Sequence, residues 1–71
     1  MKFTAILRKE EDMYVALCPE LDIASQGYTV EEAKENLKEA VLLFFEYASE
    51  NEVKERTCEE LYITPLEVAI A

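Results

Sequence analysis

Residues 19–40 read PELDIASQGYTVEEAKENLKEA, and this stretch decides the fold. Pro19 has no backbone N–H to give to a ladder, so it ends whatever strand precedes it. Leu21 to Gln26 follows as a short third strand, with Leu21, Ile23 and Ser25 on one side. Gly27 is the only glycine in the chain. Its place between strand and helix predicts a bulge or a positive-φ turn that re-aims the backbone. Thr29 and Glu32 then have capping-box spacing: the hydroxyl accepts from the N3 amide and the glutamate reaches back. Glu31 and Glu32 also suit the positive end of the helix dipole.

Downstream, Val30, Ala33, Leu37, Ala40, Val41, Phe44 and Ala48 recur at spacings of three and four and make one apolar helix face. The opposite face starts polar, with Glu31, Lys34, Glu35, Lys38 and Glu39. That polarity fails over Ala40 to Ala48, AVLLFFEYA, which is apolar nearly all round. One sheet covers one side of a helix, so Leu42, Leu43, Phe45 and Tyr47 cannot all face the same core. These four residues are expected to form an oligomer interface, in a dimer or tetramer, rather than to lie under the C-terminal segment.

Upstream, Lys2 to Arg8 alternates around Phe3, Ala5 and Leu7 and predicts a strand. Lys9-Glu10-Glu11-Asp12 is a charged turn, and Met13 to Cys18, MYVALC, is a second strand. So short a connection makes an antiparallel hairpin the economical pairing. Glu50 to Glu60 is highly charged without apolar periodicity and reads as a helix end plus a solvated connection. Leu61 to Ile70 alternates again, with Leu66, Val68 and Ile70 on one face. Pro65 puts this fourth strand near its start or on a sheet edge. The expected fold is a single α+β domain over residues 1–71. It is a two-layer β-β-β-α-β unit: a mixed four-stranded sheet with one helix on one face, any parallel crossover being right-handed. The other sheet face and the outer edges are left for solvent or a partner.

Composition narrows the chemistry. A chain of 71 residues allows one small core with little stability to spare, and its 51% hydrophobic content favours association. Sixteen acidic against seven basic residues give a net charge of −9, which repels phosphate backbones and anionic membranes and suits a basic partner. The longest apolar run, Ala40 to Phe45, is too short to span a bilayer, and Met1-Lys2 leads into a strand without a signal-peptide pattern. A cytoplasmic protein with reduced thiols is expected, with Cys18 a small core residue. The chain has no histidine, which excludes histidine-based acid–base catalysis and the usual hydrolase triads, and a tetrahedral zinc site would need carboxylates beside the two distant thiols Cys18 and Cys58. No catalytic residue, metal or cofactor is expected.

The run Tyr14-Val15-Ala16, Pro19-Glu20-Leu21, Ser25-Gln26-Gly27, Thr29-x-Glu31-Glu32-Ala33 and Asn36-x-x-Glu39-Ala40 resembles the N-terminal domain of HicB-type antitoxins. Each piece is weak alone, but order and spacing together are specific, and with flanking strands they cover residues 2 to 48. The resemblance implies a partly RNase H-like β-β-β-α-β fold and a role in masking a small basic, HicA-like toxin that cleaves mRNA. Three departures stand out. The family commonly has glycine in the first hairpin turn, where this chain has Asp12-Met13. It often has Pro-Gly-Cys-like residues after the Pro-x-Leu, where this chain has Asp22-Ile23-Ala24. It usually continues into a DNA-binding domain, where this sequence adds one more strand, so operator binding is not expected.

An RNase H-like fold invites a nuclease reading, but a two-metal site needs several carboxylates converging on ions about 4 Å apart. Here the acids lie in the turn, on the exposed helix face and in the connection, and only Asp22 sits inside a central element. RNA binding is disfavoured because the basic residues form no stripe. The expected toxin-binding residues are Glu10, Glu11, Asp12, Glu20 and Asp22 for charge, with Met13, Tyr14 and Leu21 as apolar anchors. A self-associating module without a dedicated toxin is the alternative.

Overall fold

A computed structural model describes residues 1–57 and 60–70. The chain forms β1 (Ile6–Glu10), β2 (Met13–Cys18), β3 (Ile23–Gly27), α1 (Val30–Tyr47) and α2 (Glu50–Arg56). The three strands make one antiparallel sheet in the order β1-β2-β3. Ile6 faces Leu17 and Glu10 faces Met13, so β1 takes in Lys9 and Glu10 and the turn shrinks to Glu11-Asp12. The strand expected from Lys2 therefore starts four residues later and ends two residues later. Residues 2–5 still follow its pattern: Ala5 packs on the core and the Phe3 ring stacks 5.8 Å from Phe45.

α1 lies across β3 and β2 and only brushes β1. Half of the expected capping box forms: Thr29 is extended at the cap and its Oγ1 accepts from the Glu32 amide at 3.0 Å, but among the described residues the Glu32 carboxylate does not bond back to the Thr29 amide. The buried core is Ala16, Cys18 and Leu21 from the sheet side and Ala33 and Leu37 from the helix. Leu7, Tyr14, Ile23, Val41, Phe44 and Phe45 pack around it.

Gly27 does another job than the one its position predicts, because its φ is not positive. A Cβ built there would lie 2.6 Å from the Ala33 nitrogen and 2.9 Å from the Glu32 carbonyl carbon. The glycine lets the end of β3 touch the first turn of α1. The left-handed residues are instead Glu11, at φ 54, and Asp22, at φ 53, one in each hairpin turn. Both turns hold a backbone that glycine adopts without cost.

The connection expected over Glu50 to Glu60 contains a second helix. Ser49 repeats the capping spacing of Thr29, its Oγ accepting from the Glu52 amide at 3.2 Å. Arg56 docks α2 on the sheet: its Nη1 donates to the carbonyls of Asp22 at 3.0 Å and Leu21 at 3.4 Å, and its guanidinium lies 5.7 Å over the Phe44 ring. The fourth strand is not formed among the described residues, where 60–70 runs without a ladder and is exposed throughout. Among the described residues the sheet is thus three-stranded and antiparallel, without the fourth strand of the expected mixed sheet. Its alternating residues have the pattern of a strand but no edge beside them.

Candidate functional site

The residues expected to bind a partner fall into two groups at opposite ends of β2. At the first end, the two-residue turn places Glu10, Glu11 and Asp12 in solvent. Glu10 is held by the Arg8 guanidinium at 2.6 Å, whereas Glu11 and Asp12 make no ion pair among the described residues. Met13 points to the sheet face away from α1, and with Val15, Gln26 and Tyr28 it floors an open groove of about 680 Å³ under the acidic turn. Tyr14, one residue on, points to the opposite face and packs on the core. An acidic rim thus stands over a floor of mixed polar and apolar side chains.

At the other end the expectation needs correction. Leu21 is 0% exposed and belongs to the core, so it is not a surface anchor. Glu20 is engaged inside the chain: its carboxylate accepts from the Thr4 amide at 2.9 and 3.0 Å and from the Thr4 hydroxyl at 2.6 Å. The Cys18 thiol also approaches it at 3.5 Å. Desolvation pushes the Glu20 carboxyl up, but the bonds from Thr4 outweigh it and hold its pKa below the ordinary range. Burial pushes the Cys18 thiol up, and the neighbouring carboxylate adds to this, so it stays a protonated core group. Asp22 is exposed, but its left-handed backbone and the bond from Arg56 give it a turn-forming role. No sequence pattern separates a carboxylate that clamps an N-terminal segment from one that faces solvent, and Thr4 lies sixteen residues away from Glu20.

The helix end divides in the same way. Leu42, Leu43 and Tyr47 are 59%, 53% and 77% exposed. Leu43 and Tyr47 stand one turn apart and form a continuous apolar strip. Phe45 is half-buried between Phe3 and the edge of the Phe44 ring, 5.3 Å away, so it supports the fold rather than the free strip. The sheet face away from α1 carries a row of Ile6, Leu17 and Ala24 across the three strands, which lines a second shallow groove with Val15 and Arg8. Sequence alternation located this face, but not that its middle is apolar. Among the described residues no three histidine, cysteine or acidic side chains are grouped to hold a metal ion, and no helix is long and apolar enough to cross a membrane. Cys58 lies outside the described residues.

Fold and surfaces define a small α+β domain: one helix-backed antiparallel sheet whose second face and outer edge are open. The chain belongs to the UPF0150 family. It is 35% identical over 72 residues to the UPF0150 protein of Helicobacter pylori (strain J99), the alignment spanning 100% of both chains. No family model matches the sequence, and no solved structure matches it.

Proposed function

We propose that this chain is a HicB-like binding protein that masks a small basic mRNA-cleaving toxin, acts as a homo-oligomer in the cytoplasm and performs no catalysis itself. The carrying observation is the acidic turn above an apolar groove: Glu11 and Asp12 are exposed and unpaired among the described residues, beside Met13 and Tyr28. Such a surface attracts a cationic RNA-binding face by charge and holds it through desolvated apolar contact. The family resemblance over residues 2 to 48 supplies the class of partner. In this reading the fourth strand and the four-stranded mixed sheet belong to the assembled protein, not to the single chain.

Co-expression with a candidate short basic mRNA-cleaving toxin tests the reading. The expected result is restored growth and a complex that survives size-exclusion chromatography at moderate salt. Replacing Glu11 and Asp12 together by lysine should abolish both while leaving the fold intact. Unrelieved toxicity and no complex would refute toxin masking. The exposed strip of Leu42, Leu43 and Tyr47 favours a second reading, a self-associating module with no dedicated toxin, which predicts that negative outcome together with a stable oligomer.

A further inference from the structure

The chain exposes 6168 Å² of surface, whereas a folded monomer of 8.2 kDa exposes about 4,500 Å². Its radius of gyration is 14.3 Å, against about 11 Å for a compact domain of this length. The excess, roughly 1,600 Å², is what each subunit of a permanent dimer typically covers. Much of it is the C-terminal segment, where Leu61, Ile63, Leu66, Val68 and Ile70 are between 41% and 89% exposed.

We propose that residues 61–70 of one copy pair as an added strand with the outer edge of β1 in a second copy, and that the exchange is reciprocal. Three observations choose this edge. A two-residue turn makes Glu10 and Met13 an exchanging pair, so the backbone N–H and C=O of Leu7 and Lys9 point away from β2. The outer side of β3 is instead occupied, its Gln26 carbonyl accepting from Asn36 Nδ2 at 2.8 Å, with Arg56 on the carbonyls just before it. Charge then selects β1 a second time. The first ten residues hold Lys2, Arg8 and Lys9 against one acid, Glu10, which is ion-paired to Arg8, on a chain of net charge −9, while residues 60–70 hold Glu60 and Glu67 and no base. Two acidic chains are steered together where acid tail meets basic strand, and repelled elsewhere.

A second copy is the occupant rather than the same chain. The distance from β3 across to β1 is only roughly 10 Å, two strand spacings, yet the segment stays off its own sheet. A segment folded back on its own β1 would also leave the α1 strip and Ile6 on the open face bare. Exchange joins two chains at two edges.

Cysteine trapping in the full chain tests the exchange. In a Cys58→Ser background, Lys9→Cys is combined in turn with Leu66→Cys, Val68→Cys and Ile70→Cys. Oxidation is expected to give covalent dimers for at least one combination, with light scattering of the unmodified chain at twice the chain mass. Internally closed monomers, or no tail-to-strand disulfide in any combination, overturn the proposal. Lys9→Pro removes one edge donor while sparing the β2 ladder. Each net backbone bond is worth about fivefold in an equilibrium constant and a symmetric dimer loses two, so dissociation should rise roughly 30-fold. An unchanged dissociation constant for Lys9→Pro, with its circular dichroism intact, also overturns it.

Discussion

Replacing Glu20 by glutamine tests whether this carboxylate is part of the fold rather than of a binding surface. In the native chain its two oxygens share the Thr4 amide N–H, at 2.9 and 3.0 Å, and one of them also accepts from the Thr4 hydroxyl. A glutamine keeps one acceptor oxygen and turns an N–H toward the Thr4 amide, which is itself a donor. Bonds to a charged acceptor contribute about 1.5–3 kcal/mol each, and partial exposure of this site favours the low end, so a loss of about 2 kcal/mol is expected. A chain this short has only about 4–10 kcal/mol to lose, and its melting temperature should fall by roughly 8–16 °C. Urea unfolding at fixed protein concentration and several pH values measures this. The native carboxyl has a lowered pKa, so its stabilisation is complete above the unfolded-state value, near pH 4.3, and disappears as pH falls through the folded value. Glutamine cannot titrate. The gap between the two proteins should therefore be constant from pH 7 to about 5 and close below it, the other carboxylates being common to both. A gap that is absent at pH 7, or as wide at pH 3, would refute the clamp.

Two further substitutions probe the turns and the strand–helix contact. Gly27→Ala should destabilise by about 1–3 kcal/mol, although alanine suits a strand better, because its Cβ would meet backbone atoms of Glu32 and Ala33. Equal or greater stability in thermal unfolding would show that β3 and α1 can part without cost. Glu11→Gly should raise stability by about 1 kcal/mol, read as a higher urea midpoint, because it relieves a left-handed backbone at φ 54. A lower midpoint would mean that unfolded-chain entropy outweighs the strain.

The elements legible in the sequence were those whose signals are local. The Thr29–Glu32 spacing gives the start of α1, the β-forming run MYVALC gives β2, and Cys18 lies in the core as its place on that strand predicts. Ser49 and Glu52 carried the same capping signal, but the charge of the following residues hid a helix that is held by Arg56 rather than by an apolar face. The misassigned residues depended on distant partners. Leu21 and Glu20 are polar-turn neighbours in sequence, yet one fills the core and the other grips Thr4 across the sheet. Glycine permits any φ, so its sequence position alone predicts a turn at Gly27, whereas the actual constraint is the space above it, set by a helix that follows. The fourth strand has the right residues, but pairing needs an edge, and alternation alone cannot say which chain supplies one.

The small core explains why the surfaces matter to the fold itself. Of its five fully buried residues, three are alanine or cysteine, which contribute little apolar area each. Leucines and aromatics that a larger domain would bury are instead in Leu42, Leu43, Tyr47 and the segment after α2, where they are exposed. Covering them by association adds stability by mass action, about 2.7 kcal/mol at a hundredfold excess over the dissociation constant. That equals or exceeds what the Glu20 clamp contributes. Under the proposed strand exchange, self-association and folding become one equilibrium, while the acidic turn and its groove lie at the far end of the sheet from the Glu20 clamp. In the proposed assembly, one short chain would be stabilised by its own copies and still present an acidic face.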